Sequence, residues 1–206
     1  MRFSFFYLLR GIIPSLLLLS FSKSALAHHP FGMGSSSELS ILQGLASGIG
    51  HPLLGPDHLL FILAIAFINL RRPTKWILPL LFIGLGGSAF AQIQPLPEFL
   101  TPWAESLVSL TLAIEGLIVL SRLNSKWLLP MFSLHGYLLG NTIVGAEATP
   151  LISYFLGLFL AQGALLLLVT KASKRIINWA EANGRILNAG ILIGIGLAFS
   201  WVALVD

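Results

Sequence analysis

Three residues able to ligate a metal or carry a proton fall within eight positions, in the stretch His51-Pro52-Leu53-Leu54-Gly55-Pro56-Asp57-His58. They interrupt an otherwise apolar segment, 39–70. A charged side chain at membrane depth costs about 2.5–3.5 kcal/mol or more, so its presence there points to function. Two imidazoles and a carboxylate form a hard-to-borderline ligand set of the kind divalent transition metals favour. His135 and Glu115 stand alone in later apolar stretches, with Asn141 and Glu147 further along. His135 reads either as a ligand or as a neutral imidazole bonded to a neighbouring helix. Glu115 reads as a ligand, as a protonated helix contact, or as the counter-ion of a histidine. Asn141, Gln92 and Gln162 are residues of the type that glue membrane helices together, although Asn141 and Glu147 also suit an ion path.

The chemistry this chain lacks is equally informative. It has no cysteine, which excludes disulfides, thiolate zinc sites and iron–sulfur clusters. Its three methionines, at 1, 33 and 131, do not make a thioether path for Cu(I). No phosphate-binding Walker loop is present, so the chain itself cannot hydrolyse ATP, and no HExxH pair offers a metallopeptidase site. An enzyme is not expected.

The elements that must position these residues are membrane helices. The sequence is 56% hydrophobic and only 10% charged, and its mean hydropathy is +0.88. These values mark a polytopic membrane protein, one all-α helix bundle. Pro52 and Pro56 remove backbone donors and clash with the preceding turn, so the first membrane helix should break here. Pro56 suits the first position of a new helix, which puts Asp57 and His58 in its first turn. Ser36 or Ser37 is a plausible cap for the helix before the break.

Residues 1–27 read as a cleaved signal peptide: Arg2 and Arg10, an apolar run over 12–21, then Ala25-Leu26-Ala27. An uncleaved first membrane helix is the alternative. Cleavage would leave His28 and His29 at a new outer N-terminus, where they either capture metal or are merely solvated. Residues 28–206 then form the membrane domain. Its apolar spans are 39–70, 76–93, 103–121, 127–144, 151–170 and 186–205, most near the 20 residues needed to cross a bilayer. Trp76, Trp103, Trp127, Trp179 and Trp201 lie near span ends, as interfacial anchors should.

Basic residues set the orientation. Beyond the leader they are Arg71, Arg72, Lys75, Arg122, Lys126, Lys171, Lys174, Arg175 and Arg185, all in the connections after the first, third and fifth spans. The connections 94–102 and 145–150 carry none. By the positive-inside rule this gives six crossings with both mature ends outside. The basic pI near 9.8 therefore reports topology rather than a nucleic-acid partner. Small residues predict close helix packing: Gly44 with Gly48, Gly136 with Gly140, Gly190 with Gly194, and the cluster from Gly84 to Ala89. A rise of about 1.5 Å per residue from the basic ends places the polar groups on a ladder. His51 is outermost, Asp57, His58 and Asn141 follow, and His135 and Glu115 lie near the midplane or below.

At these residues the chain resembles the HupE/UreJ family of hydrogenase- and urease-accessory membrane proteins, most closely its cyanobacterial-type members. The family motif HPxxGxDH stands intact over 51–58. A second family-like region is Leu134-His135-Gly136-Tyr137, followed by Ile143-Val144-Gly145-Ala146-Glu147-Ala148-Thr149-Pro150. Some members carry further histidines after the one matching His135, whereas Leu138, Leu139 and Gly140 follow Tyr137 here. The resemblance implies a nickel or cobalt permease of the cytoplasmic membrane, with the metal as transported substrate and no permanently bound cofactor. His28, His29 and His51 would collect the ion, Asp57 and His58 form a first intramembrane site, and His135 with Glu115 a deeper one. The alternative is an accessory protein that passes metal to a metalloenzyme maturation partner without transporting it. A homo-oligomer is compatible with either, and the lipid bilayer is the remaining partner.

Overall fold

The computed structural model describes residues 5–19 and 39–205, and every regular element among them is helical. The helices are α1 (Phe5–Leu19), α2 (Ile41–Leu54), α3 (Pro56–Ala64), α4 (Ile77–Ile93), α5 (Thr101–Val119), α6 (Leu128–Asn141) and α7 (Ala148–Val205). Short 3-10 turns join them at Ile65–Phe67, Pro73–Trp76, Glu98–Leu100 and Ser125–Trp127.

The predicted break is present. α2 runs through Pro52 to Leu54, Gly55 interrupts it, and Pro56 opens α3 at its first position with Asp57 in the first turn. The two halves are bent by 66°. The start of α2 is closed by a capping box: Gln43 N–H donates to Ser40 Oγ at 3.3 Å, and Ser40 N–H to Gln43 Oε1 at 2.9 Å. The cap is thus Ser40. Ser36 and Ser37, expected in that role, lie outside the described residues.

By length and composition, four helices among the described residues can cross a membrane: Pro73–Ile93, Glu98–Val119, Ala148–Ala180 and Ala182–Val205. The bent α2–α3 pair makes a fifth. The segment expected as a sixth span, 127–144, forms α6, a helix of 14 residues and about 21 Å, short for a hydrocarbon core of about 30 Å. The residues expected as a connection, 171–185, carry helical backbone within α7, and the two spans Ala148–Ala180 and Ala182–Val205 divide inside that stretch. That stretch contains no proline, and its one glycine, Gly184, sits where a Cβ would meet only Ala180 Cβ at 3.4 Å. Leu166 and Val169, before the basic stretch, share a core with Ala189 and Leu192 after it. Arg185 donates to the carbonyl of Val119 at 3.0 Å, which brings the basic middle of α7 to the C-terminal end of α5.

Glycines let the helix axes approach closely. A Cβ on Gly136 would strike the Gly84 carbonyl, one on Gly140 the Ser88 carbonyl, and one on Gly48 the Tyr154 carbonyl. Each predicted glycine pair therefore lies at a crossing, α2 on α7 and α6 on α4, whereas Gly86 faces open space. The third pair, Gly190 and Gly194, packs against Leu8 and Ile12 of α1, the described part of the predicted signal peptide. The α4/α6 seam is stitched by Ser88 Oγ donating to Gly136 O and Gln92 Nε2 to Gly140 O, both at 2.7 Å. Large apolar side chains such as Phe82, Phe90, Leu168 and Trp179 point outward, as a lipid-facing surface requires.

Candidate functional site

Three histidines come together from three helices. His51 lies near the end of α2, His58 in the first turn of α3 and His135 in α6, and all three are buried. His58 Nδ1 and His135 Nδ1 stand 2.8 Å apart, and the ring centroids of His51 and His58 are separated by 6.2 Å. The bend at Gly55 is what turns His58 inward beneath His51. A Cβ on Gly55 would lie 2.9 Å from His58 Cδ2 and 3.1 Å from the His51 carbonyl, so only glycine leaves the His58 ring in its place.

A second layer of residues holds the rings. Phe61, one turn after His58 and fully buried, stacks on His135 with a centroid distance of 4.0 Å and an interplanar angle of 22°. Thr111 of α5 contacts His135 Nε2 at 2.8 Å. At the His51 end of the cluster, Thr142 Oγ1 faces His51 Nδ1 at 3.4 Å and lies 3.3 Å from the Tyr154 hydroxyl. Thr142 and Tyr154 both donate to the Leu139 carbonyl, at 2.8 and 2.6 Å.

Asp57 is half-buried at the start of α3, close to the backbone N–H of His58 and within electrostatic reach of His58 and His135. Glu115 is fully buried one turn beyond Thr111, about 6 Å along α5 from the level of His135. Neither of its carboxylate oxygens has a hydrogen-bond partner among the described residues. Asn141 has a structural use: its Oδ1 accepts the Leu96 N–H at 2.8 Å and ties the α4–α5 connection to α6. Glu147 is exposed just before α7, and its carbonyl accepts the Leu151 N–H. His28 and His29 lie outside the described residues.

The expected separation of His58 and His135 onto two levels is not what the fold builds. The depth count takes 39–70 as one line across the membrane, but α3 is turned 66° from α2 and ends at Ala64, so distance along the chain does not convert into depth. The two rings consequently meet. Among the described residues, no three His, Asp or Glu side chains converge into a ready-made metal cage. What exists is a two-nitrogen pair flanked by a third imidazole, one carboxylate beside it and another a turn deeper. Thr111, Thr142, Tyr154 and Phe61 escaped the sequence reading, because hydroxyls and aromatics in apolar helices ordinarily bond the preceding turn or fill the core. The one available signal was the four-residue step from Thr111 to Glu115, which puts both on one helix face.

The fold and this buried polar file define an all-helical membrane protein with a histidine-lined interior. Residues 16–199 match the family model described as HupE / UreJ protein, and the chain belongs to that family. It is a family associated with nickel and cobalt uptake or with accessory functions, and its members are permeases or accessory proteins rather than enzymes. A comparison with curated proteins and with solved structures returned no match.

Proposed function

We propose that this chain is a secondary permease that takes up a divalent transition metal, Ni²⁺ or Co²⁺, across the cytoplasmic membrane. In this reading residues 1–27 direct export and are removed, and residues 28–206 are the permease. The membrane domain has six crossings, α6 with its flanking turns supplying the short one, and the basic connections lie on the cytoplasmic side with both mature ends outside. The ion is collected by His51, together with His28 and His29, passes to His58, Asp57 and His135, and leaves by way of Glu115.

The observation that carries this reading is the facing of His58 Nδ1 and His135 Nδ1 at 2.8 Å inside the helix bundle. Without an ion that separation is a hydrogen bond. With metal–nitrogen bonds of about 2.05 Å, two ligands at a right angle stand about 2.9 Å apart, against about 3.35 Å in a tetrahedron. The nitrogens thus need almost no separation to meet an ion that takes right-angled ligands, as Ni²⁺ and Co²⁺ do, and more to suit tetrahedral zinc, while in either case the rings must turn to bring both lone pairs off their shared axis. An open pair rather than a closed cage also favours release, because conduction requires binding weak enough to let the ion leave. A potential of 100 mV supplies about 4.6 kcal/mol to a divalent cation, twice the single-charge value, so no nucleotide is required.

Radiolabelled Ni²⁺ and Co²⁺ accumulation by cells expressing the wild type, His58→Ala or His135→Ala tests the proposal. The expected result is uptake by the wild type and at least a tenfold loss in each variant. Wild-type uptake equal to that of empty cells, with metal still bound, would instead support the accessory role.

A further inference from the structure

The contacts around His135 favour one of its two neutral tautomers. Thr111 Oγ1 has one hydrogen and two close neighbours: the Val108 carbonyl at 2.5 Å, three residues earlier on α5, and His135 Nε2 at 2.8 Å. Two oxygens 2.5 Å apart need a hydrogen between them, and a carbonyl can only accept, so the shorter contact assigns the Thr111 hydrogen to Val108 O rather than to His135 Nε2. The Thr111 oxygen then meets His135 through a lone pair, and His135 Nε2 must be the donor. A neutral imidazole protonated at Nε2 has its acceptor nitrogen at Nδ1. That is the nitrogen facing His58. Phe61, stacked on the ring at 4.0 Å, and the burial of both residues oppose the ring flip that would exchange the two nitrogens.

We propose that Thr111 is a positioning residue that holds His135 in the Nε2–H form, so that its Nδ1 lone pair is permanently presented to His58 and to an arriving divalent cation. The proposal rests on the permease reading for the cation and on geometry alone for the tautomer. It also assigns the mobile proton. In the ion-free chain the shared contact requires His58 to donate from Nδ1, since His135 Nδ1 only accepts. Ion binding between the two nitrogens therefore displaces a proton from His58 Nδ1, to its own Nε2 or to water, and none from His135. Histidines that bind metals generally give their other N–H to such a partner, and losing the partner costs about 10–100-fold in affinity.

The test uses the full chain in lipid nanodiscs with ¹⁵N-labelled histidine and without metal, the His135 signals being assigned by their loss in His135→Gln. The expected spectrum has His135 protonated at Nε2 and bare at Nδ1 in the wild type and in Thr111→Ser, with a mixture of forms in Thr111→Val. Ni²⁺ affinity, measured by calorimetry on the same samples, should fall at least tenfold in Thr111→Val and stay within about twofold in Thr111→Ser. A wild-type His135 protonated at Nδ1, or a Thr111→Val variant with wild-type spectrum and affinity, overturns the proposal. If Thr111→Val fails to fold, the wild-type spectrum alone decides. A wild type with the Nε2–H form that moves no metal defeats the permease reading and leaves the positioning role standing.

Discussion

Replacing Gly55 by alanine should damage uptake without damaging the fold. The new methyl would sit 2.9 Å from His58 Cδ2 and 3.1 Å from the His51 carbonyl. Ordinary carbon–carbon contact is about 3.5–4.0 Å, so the ring must retreat by about 0.6 Å or more, because the backbone carbonyl on the other side cannot yield. Such overpacking costs about 1–3 kcal/mol. Gly55 has φ −73°, which alanine adopts readily, so backbone strain adds nothing. A ring displaced by that amount loses its 2.8 Å register with His135 Nδ1. If the whole cost falls on the ion-binding arrangement, uptake at low metal concentration falls about 5- to 150-fold. Gly86→Ala is the matched control, since a Cβ there meets nothing within 4 Å. Uptake of ⁶³Ni²⁺ at equal membrane abundance is the assay. Wild-type uptake by Gly55→Ala, or an equal loss in Gly86→Ala, would refute the argument that the glycine reserves space for His58.

Glu115→Gln should leave thermal stability unchanged or raise it, because a buried carboxylate without partners gives way to a neutral amide, while lowering uptake at least tenfold; melting curves and transport on the same preparation check both halves. Uptake should decline as external pH is lowered through the ordinary imidazole range near pH 6.5, since a protonated imidazole has no lone pair for the metal, and recover when pH is restored; a flat profile between about pH 5 and 8 would count against histidine ligation. The chain has no native cysteine, so single replacements report sidedness cleanly: Ser125→Cys should react with an impermeant thiol reagent only from the cytoplasmic side, and Glu147→Cys only from outside. Labelling of both from one side would overturn the six-crossing topology.

The sequence was most legible where local chemistry is strict. Pro56 suits the first position of a helix, and the break, with Asp57 and His58 in the first turn, falls there, whereas Pro52, expected to contribute to it, lies inside α2. The glycine pairs were legible for the same reason, since a missing Cβ is the only way two membrane helices bring carbonyls so close. Ser40 shows a signal passed over: the four residues Ser40-Ile41-Leu42-Gln43 spell a capping box. Other features were not local. Basic charge over 171–185 marks a connection, and the spans Ala148–Ala180 and Ala182–Val205 divide there, but its residues are all compatible with helix, so the helical form of the connection is not legible. The meeting of His58 with His135 depends on the path of 65–70, which a fixed rise per residue misjudges. Thr111 carries only the faint mark of sharing a helix face with Glu115; its meaning comes from the Val108 carbonyl on one side and His135 on the other.

Transport by the purified protein bears most directly on the central claim. Wild-type chain and a His58→Ala/His135→Ala double variant, reconstituted in liposomes with an inside-negative potential, should differ. The wild type should accumulate Ni²⁺ or Co²⁺ in a form released by ionophore, and the double variant should match empty vesicles. Metal that associates with the wild type but is never concentrated in the lumen, or equal accumulation by both proteins, would contradict it.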